Sequence, residues 1–512
     1  MKPIRDWEKE LSELPIGFGG FSPRTMKKVK ERIARMERKG RRRTLAVTVP
    51  VLASLAALGI VFQDSLLEWL TPHREPEPIL TEAAEETVTL KADYYDSYSF
   101  HSRFGDPFII RHPYAGFETA NSDAGPGLAD TPEAYARWAR ENQVDLLRIP
   151  LAYIDDLARE GLLAPLDPLI RRDGFELGEL YEPVIGAIRE AGAGGLYGLA
   201  PEFEAYALYY NKTMFEQNQV PLPSDGMTWE DVLLAAGRFS GRTPEGQPVY
   251  GLSFGEGWHT TLARGALEAG LNQGLRIAIP DSRTPTLDTP AWKSWWEAVT
   301  AGAGQEWINT NAESPASGGV GLMQDFYRVD AFLSGRSAMV YSNHWMLQHL
   351  QEAVRLSLFK DEWGVVVLSA KAPDGSTDNG VSVPYVFAIN AESPHREAAW
   401  EWLKFVHGRE FALRDRQQGF GTIHSNRSAL NREEDPQAVF YRNDADPAAV
   451  VLRSELQHED WYRKLYVHVV SELEQRLPDV LSGTLSVEDM LTGLQQSSEA
   501  LLADRPGESE AP

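Results

Sequence analysis

Leu196-Tyr-Gly-Leu-Ala-Pro201 opens the most informative stretch of the sequence, which continues through Tyr209-Tyr-Asn-Lys-Thr-Met-Phe215 to Thr228-Trp-Glu-Asp231. Ala205-Tyr-Ala-Leu-Tyr-Tyr210, which overlaps the start of the second segment, is a short apolar run and predicts a buried strand. Thr228 precedes two acids, and a Thr N-cap with acids in the first turn predicts a helix beginning at Trp229. The stretch therefore predicts a buried strand followed by a helix.

Further strand-like runs recur along the chain, with helical patterns between them. Thr87 to Ala92 alternates as a strand does, so the folded body is expected to begin near residue 85. Ser393 before Pro394 predicts another helix start. The other strand-like runs are Asp145–Pro150, Ser337–Ser342, Trp363–Leu368 and Tyr385–Asn390. This alternation predicts an α/β protein with largely buried sheets.

Composition excludes several classes of protein. The chain has 512 residues with 42 Gly, 32 Pro and no Cys, which is typical of folded proteins with two or three domains. Without cysteine there is no disulfide, no thiolate metal site, no cysteine nucleophile and no lipid-modified N-terminal cysteine. Attachment to a membrane would therefore depend on the polypeptide itself.

Charge is distributed unevenly along the chain. The net charge is −24, yet residues 1–43 contain 14 basic and 6 acidic side chains, which leaves the remainder strongly acidic. An acidic body repels phosphate backbones and has no basic stripe of the kind that nucleic-acid binding requires. Nucleic acid is not expected as a partner.

The N-terminal region predicts a membrane anchor. Thr44 to Phe62 is free of charged residues and spans roughly 28 Å as a helix, about one hydrocarbon core. Eleven basic residues in 24–43 precede it, which places the N-terminus in the cytoplasm and the body outside. A cleavable signal peptide is the alternative, with Ser54-Leu55-Ala56 as its cleavage pattern, but its n-region is normally much shorter.

These patterns divide the N-terminal region into three parts. Residues 1–43 form a basic cytoplasmic tail, 44–62 the transmembrane anchor and 63–84 an extracytoplasmic linker rich in Pro and Glu. The tail is expected to orient the anchor and bind anionic lipid, and docking of a cytoplasmic regulator is the alternative. At the other end, residues 504–512 are expected to be disordered.

Signatures of common enzymes are missing from the sequence. It contains no G-x-x-x-x-G-K-[ST], H-E-x-x-H or G-x-S-x-G motif. Glu202 and Glu204 lie two apart on one strand face, whereas glycosidase carboxylates flank the bond at about 5 Å or more. The eleven histidines show no metal-ligand spacing. We therefore expect no catalysis, no metal and no cofactor.

Four segments, covering nearly all of residues 85–503, resemble the bacterial extracellular solute-binding proteins of ABC importers, the carbohydrate-binding family that includes maltodextrin-binding protein. The best of them is the stretch from Leu196 to Glu230, which is similar to the family's "YGLP…YYNKDLF…P.TWEE" block. The others are Val144–Leu166, Phe332–Trp345 and the segment from Gly380 to near Val406. The match is specific because the segments occur in the right order.

The resemblance implies a two-lobed, periplasmic-binding-protein-like (type II) fold with hinge crossovers, preceded by the transmembrane helix. Crossings are implied near Leu199–Glu202, Asn379–Val383 and Gly419–Ile423. The first lobe would comprise residues 85–200 plus 381–421, and the second 201–380 plus 422–503. Lobes that meet only around a ligand convert its binding into a shape that a membrane partner can recognise.

The resemblance also implies ligand contacts. Counting from Asn211-Lys212 and from Ala338-Met339, Glu204 falls on an acidic sugar contact and Trp345 on a stacking tryptophan of the family. A carboxylate accepts from sugar hydroxyls, while an indole ring packs on the sugar's C–H face. Other candidates lie nearby or in loops expected at the cleft: Phe203, Tyr206, Asn343, His344, Trp258, Asp93, Tyr95 and Tyr153. Ile149, Ala152 and Tyr153 replace the family's sugar clamp, which argues against maltodextrin itself.

The expected function is therefore a membrane-anchored binding protein that captures a carbohydrate, expected to be an oligosaccharide, in the cleft between the lobes and delivers it to ABC permease subunits. Its expected location is the cell membrane, single-pass, in a Gram-positive type of bacterium. The alternative is a ligand sensor that signals through the anchor and the cytoplasmic tail. A glycoside hydrolase is a third possibility, for which the sequence offers no suitable acid pair.

Overall fold

The structure is a computed structural model of the chain. It describes residues 87–124, 130–255, 260–310, 323–369, 377–418, 421–430 and 435–503. All of these belong to one compact unit, Leu80–Pro512. The predicted tail, the anchor at Thr44 to Phe62 and the linker lie outside the described residues. Among the helices of the described ranges, none has the length and apolar composition of a membrane span.

The described strands form two five-stranded sheets and two short pairs. In chain order they are β1 Val88–Asp93, β2 Ala115–Ala120, β3 Leu146–Ile149, β4 Gly198–Leu199, β5 Glu202–Phe203, β6 Tyr206–Asn211, β7 Ser240–Arg242, β8 Pro248–Gly255, β9 Ala278–Ile279, β10 Thr284–Pro285, β11 Ser337–Asn343, β12 Trp363–Val366, β13 Val386–Ile389 and β14 Ile423–His424. Each strand predicted from the sequence is confirmed, to within about two residues at either end.

The α-helices of the described ranges alternate with these strands. They are α1 Ser97–Phe100, α2 Asp106–Arg111, α3 Pro132–Glu141, α4 Ile154–Arg159, α5 Asp167–Asp173, α6 Glu182–Ala191, α7 Lys212–Gln217, α8 Trp229–Ala236, α9 Leu262–Asn272, α10 Pro290–Gly304, α11 Met323–Val329, α12 Trp345–Arg355, α13 Arg396–Val406, α14 Arg409–Gln417, α15 Pro447–His458, α16 Asp460–Leu481 and α17 Val487–Ala503. A π-helical turn, His101–Gly105, joins α1 to α2.

The sequence placed one helix start correctly and one wrongly. Thr228 caps α8 in a capping box with Asp231, as predicted. The helix predicted from Ser393-Pro394 begins instead at Arg396. The reason is that the Ser393 hydroxyl donates to Asp145 at 2.5 Å and accepts from the His395 N–H at 2.9 Å, which holds a turn before the helix.

The first lobe is built on the sheet β2-β1-β3-β13-β4. Strand β1 pairs in parallel with β2 and β3, and β13 returns antiparallel between β3 and β4. Since β1, β2 and β3 run in the same direction, their carboxyl ends meet at one edge of the sheet. In open α/β sheets that edge is where ligands bind.

The second lobe is built on the sheet β12-β6-β11-β8-β7. Both faces of its central strands are buried. In β6, Leu208 and Tyr210 join one buried cluster, while Ala207 and Tyr209 join another on the opposite face. This burial on both faces explains why the central runs are almost continuously apolar in the sequence.

Segments that cross between the lobes are joined to one another. Strand β5 pairs antiparallel with β14, which brings the first and third predicted crossings together. Glu204 forms an isolated antiparallel bridge with Ser382, which joins the second predicted crossing to the first. Residues 419–420 of the third crossing lie outside the described ranges. The lobes are thus joined through a small set of paired extended segments.

The C-terminal part of the chain divides between the lobes. Helix α15 packs on α6 of the first lobe, so closely that a Cβ on Gly186 would lie 2.8 Å from Pro447. Helices α16 and α17 pack instead on α9 and α10 of the second lobe. The sequence analysis assigns 422–503 as a whole to the second lobe; within that segment α15 also packs on α6, whereas α16 and α17 pack on α9 and α10.

A glycine in β8 provides a test of this packing. A Cβ added to Gly251 would lie 1.9 Å from the carbonyl oxygen of Ala236 at the end of α8, whereas a Cβ on Gly304 would meet nothing within 4 Å. We expect Gly251→Ala to lower the free energy of unfolding of the full-length chain by about 1–3 kcal/mol or more in denaturant titrations. Gly304→Ala is the control and should cause no loss. Equal stability of the two variants would contradict the packing of α8 on β8.

Candidate functional site

Aromatic and charged side chains collect at the carboxyl edge of the first sheet. Asp93 ends β1, and Tyr94 and Tyr95 follow it, with their ring centroids 4.3 Å apart. Tyr95 is about half exposed, whereas Tyr94 is buried. Of the residues predicted to contact ligand in this loop, Tyr95 is the one with exposed surface.

Asp93 is occupied within the protein. Its carboxylate accepts from the Ser122 backbone N–H at 3.1 Å, the Ser122 hydroxyl at 2.9 Å and the Tyr135 hydroxyl at 2.8 Å. Burial raises the pKa of Asp93 to about 6, against the lowering effect of these hydrogen bonds. Asp93 therefore fixes the loops after β1 and β2 relative to each other.

Arg148 is a residue of this edge that the sequence reasoning missed. Its guanidinium lies 5.3 Å from the ring centroid of Tyr385, 5.7 Å from that of Tyr94 and 6.0 Å from that of Tyr95. It donates to the exposed Asp123 at 3.0 Å. Its Nε is buried and has no hydrogen-bond partner within the described ranges. A signal was available, because Arg148 is the one charged residue within the apolar β3.

The matching edge of the second sheet holds most of the other predicted residues. Antiparallel pairing sets Tyr206, at the start of β6, opposite Asn343, at the end of β11. His344 and Trp345 follow directly, and β8 ends at the same edge because it runs parallel to β11. Trp258, predicted in the loop after β8, lies outside the described residues. The topology thus gathers Tyr206, Asn343, His344 and Trp345.

Trp345 contacts the third crossing. A Cβ added to Gly421, which has a positive φ of 73°, would lie 2.4 Å from the Trp345 ring. One side of the indole ring is therefore packed against Gly421. Only glycine fits at this position, because a side chain would collide with the ring and because the backbone has a positive φ. Trp345 nevertheless remains 37% exposed. An aromatic ring held on one side and exposed on the other can stack on a ligand.

Glu204 lies at the junction of two crossings. Its carboxylate accepts from the Ser382 hydroxyl at 3.1 Å, and the two backbones exchange hydrogen bonds. Burial raises the pKa of Glu204, and the hydrogen bond from Ser382 partly opposes this. A partly desolvated carboxylate with one protein partner retains capacity to accept from a ligand hydroxyl.

Three predicted contacts are buried among protein side chains. Phe203 is 1% exposed and stacks on Tyr181 with ring centroids 4.6 Å apart. Tyr153 is 7% exposed and packs edge-on against His458. His344 is 3% exposed and lies beside Trp345. In this structure all three support neighbouring side chains and offer little surface of their own.

A cavity of about 420 Å³ lies between α15 of the first lobe and α9 and α16 of the second. Thr377 and Asp378, which precede the second crossing, form part of its wall, and Arg453 of α15 reaches into it. The sequence reasoning did not identify these residues, because nothing local marks helices far apart in the chain as neighbours. Across the described ranges no cluster of side chains suits a metal ion.

The sequence profile of the bacterial extracellular solute-binding proteins matches residues 141–410, more than half of the chain. The chain belongs to this family. The match extends from the end of α3 to the start of α14 and so includes β5, β6, β11 and the first two predicted crossings.

Solved structures of solute-binding proteins share the two-lobed fold. A sugar transporter from Rhizobium etli in an open conformation is 20% identical with a TM-score of 0.53, covering 81% of this chain and 99% of that one. The sugar-binding protein MalE of Xanthomonas citri is 16% identical with a TM-score of 0.53, covering 82% and 98%. The GacH receptor of Streptomyces glaucescens is 17% identical with a TM-score of 0.50, covering 82% and 100%.

His344 gives this solute-binding protein a testable pH dependence. Burial lowers the folded pKa of His344 from 6.5 to about 4, so from pH 6.5 down to about 4 the unfolded chain binds a proton that the folded chain does not. Its contribution to stability is thus lost as the pH falls through that interval. Relative to His344→Asn, the wild type should lose about 1.4 kcal/mol of unfolding free energy per pH unit there.

The measurement is chemical denaturation of both proteins at several pH values. Comparing the difference between the two proteins cancels the general charge effects of an acidic chain, and Asp93, whose raised pKa acts in the opposite direction, is common to both. A difference that stays constant with pH would contradict the burial of His344.

Proposed function

We propose that this solute-binding protein captures a carbohydrate between its two lobes and delivers it to the permease subunits of an ABC importer. The observation that carries the proposal is the position of two candidate side chains on the crossings. Partly exposed Trp345 packs against the third crossing, and Glu204 joins the first crossing to the second. A ligand that binds side chains in contact with the crossings would favour one relative position of the lobes over another.

The chemistry of this edge suits a sugar. A sugar ring presents C–H groups on its faces and hydroxyls around its rim, so aromatic rings and hydrogen-bond acceptors complement it. Trp345 and Tyr206 supply aromatic surface, and Glu204 and Asn343 supply polar groups. Across the cleft, Tyr95 and Arg148 are the partners that we propose from the first lobe.

The related structures agree with this class of ligand. The GacH receptor has been solved with acarbose, and the proteins from Rhizobium etli and Xanthomonas citri are described as a sugar transporter and a sugar-binding protein. For this chain a carbohydrate ligand is our proposal, supported by the family and by the residues above.

Membrane anchoring through Thr44 to Phe62 forms part of the same proposal. Without a cysteine for lipid attachment, an uncleaved helix would keep the binding body at the outer surface of the membrane, near its importer. Binding without turnover fits the buried carboxylate of Glu202, which is held by Arg103 and Tyr385 and is not available as a catalytic partner of Glu204.

Loss of Trp345 tests the proposal. Thermal-shift measurements would compare the full-length chain with Trp345→Ala across mono- and oligosaccharides, amino acids and peptides. We expect a carbohydrate to stabilise the wild type, by about 2.7 kcal/mol at 100 times its Kd. In Trp345→Ala the same concentration should give a much smaller shift, because the stacking surface is lost.

Tyr114→Ala is the matched control. Tyr114 is 43% exposed, similar to Trp345, but it precedes β2 and so lies at the opposite edge of the first sheet. Its ligand-induced shift should equal that of the wild type. Stabilisation by amino acids or peptides with no response to sugars would contradict a carbohydrate ligand.

A further inference from the structure

Arg453 is a largely buried cation on α15 that contacts two other parts of the protein. Its side chain is 15% exposed. The guanidinium donates to both carboxylate oxygens of Asp378, at 2.6 and 3.1 Å, and to the side-chain oxygen of Asn272 at 2.5 Å. Asp378 directly precedes the second crossing, and Asn272 ends α9 of the second lobe. Arg453 therefore ties α15 to a crossing and to the second lobe at once.

One path of contacts leads from Arg453 to the ring of Tyr206. Because the Asn272 side-chain oxygen accepts from Arg453, the amide nitrogen is left to donate, and it donates to the Tyr341 hydroxyl at 3.1 Å. The Tyr341 ring stacks on the ring of Tyr206 with centroids 5.4 Å apart. Asn272 and Tyr341 are both buried. Three successive contacts thus join Arg453 to Tyr206.

A second path reaches the same ring through the backbone of the second crossing. The Asp378 carboxylate that accepts from Arg453 also accepts from the Gly380 backbone N–H at 2.8 Å. Gly380 has a φ of 71°, and a Cβ there would lie 2.9 Å from Tyr206 and 3.1 Å from Asn272. Only glycine therefore lets the backbone approach the ring this closely. Both paths begin at Arg453 and end at Tyr206.

The helix that carries Arg453 is held on the first lobe. Helix α15 packs on α6, and the Ser454 hydroxyl accepts from the Ala152 backbone N–H at 3.3 Å. Tyr206, in contrast, begins β6 of the second lobe. A helix packed on the first lobe thus supports a side chain of the second lobe, one that we have proposed as a ligand contact.

These contacts give Arg453 a role at a distance from the ligand. An aromatic ring that is fixed before the ligand arrives loses less side-chain freedom on binding, and packing and hydrogen bonds behind the ring supply that fixation. We propose that Arg453 is a positioning residue for carbohydrate binding: it holds the ring of Tyr206 ready to stack and makes that position depend on the first lobe. The inference rests on the proposed function, which supplies the carbohydrate.

Calorimetric titration of the full-length chain tests the effect of Arg453 on affinity. The probe is the mono- or oligosaccharide with the largest thermal shift on the wild type. Arg453→Gln should weaken its binding by about tenfold, because a glutamine amide does not replace the three hydrogen bonds to Asp378 and Asn272. Arg453→Lys keeps the charge beside Asp378 and should weaken binding less, by about threefold, because an ammonium lacks the planar fork.

Arg463→Gln is the matched control. Arg463 lines the same cavity as Arg453, but it lies on α16, and its ion pair is with Asp460 of the same helix at 3.6 Å. This variant removes a guanidinium from the same cavity wall without touching Asp378 or Asn272. It should bind the carbohydrate like the wild type.

A double-mutant cycle shows whether the effect runs through the ring. In a Tyr206→Leu background, Arg453→Gln should change the affinity by less than about twofold, because the ring that Arg453 positions is absent. A general structural defect would weaken binding equally in both backgrounds. Equal losses would therefore overturn the inference.

Fluorine NMR of the ligand-free chain, labelled with 3-fluorotyrosine, observes the ring directly. Tyr206→Phe identifies the resonance of this ring by removing it. Arg453→Gln and Arg453→Lys should shift or broaden the resonance, whereas Arg463→Gln should leave it unchanged. A resonance unaltered in both Arg453 variants would overturn the inference, even for variants that bind too weakly to titrate.

The outcomes separate the two proposals. If both Arg453 variants bind the carbohydrate as tightly as the wild type, the inference is overturned and the proposed function stands. If no carbohydrate binds the wild type at any concentration tested, the proposed function fails, and the role of Arg453 in carbohydrate binding fails with it.

Discussion

The buried guanidinium of Arg103 is the interaction on which the joining of the two lobes depends. It donates two hydrogen bonds of 2.9 Å to Asp415 in α14 and one of 2.5 Å to Glu202 in β5, and Glu202 also accepts from Tyr385. A buried charge is tolerated only with such partners, and breaking a buried pair costs roughly 3–5 kcal/mol. This network fixes the π-helical turn, the first crossing and α14 as one unit.

From this fixed unit the crossings extend toward the second lobe and carry the candidate ligand contacts. Glu204 is two residues beyond Glu202 and bridges to Ser382, and Trp345 packs on Gly421. The proposed ligand contacts are therefore one or two contacts away from the segments that join the lobes. This is the coupling a binding protein needs if occupancy is to be recognised by a membrane partner.

Local patterns in the sequence predicted much of the fold. The apolar runs at Ala205–Tyr210 and Ser337–Ser342 became central strands, because burial on both faces leaves a continuous signal. Local patterns failed where a distant residue competes for a side chain: Ser393 bonds to Asp145, almost 250 positions away, and so does not cap a helix. The packing of α15 on α6 is likewise not visible in local patterns, because the two helices lie far apart in the sequence.

In the candidate site, too, some residues could be predicted from the sequence and others could not. The family resemblance singled out Glu204 and Trp345 as sugar contacts, and the structure places Trp345 beside the paired Tyr206 and Asn343 and Glu204 at the bridge between two crossings. The sequence reasoning did not distinguish exposed Tyr95 from buried Phe203 and Tyr153. Arg148 was missed although a charged residue within the apolar β3 is a local signal, whereas the residues of the cavity were missed because they are brought together from distant elements. The most direct test of the account is a crystal structure of the chain with its best-binding carbohydrate. We predict a ligand between the two sheet edges, touching Trp345 and Glu204 together with residues of the first lobe, whereas a ligand bound to the outer surface of one lobe would contradict the account.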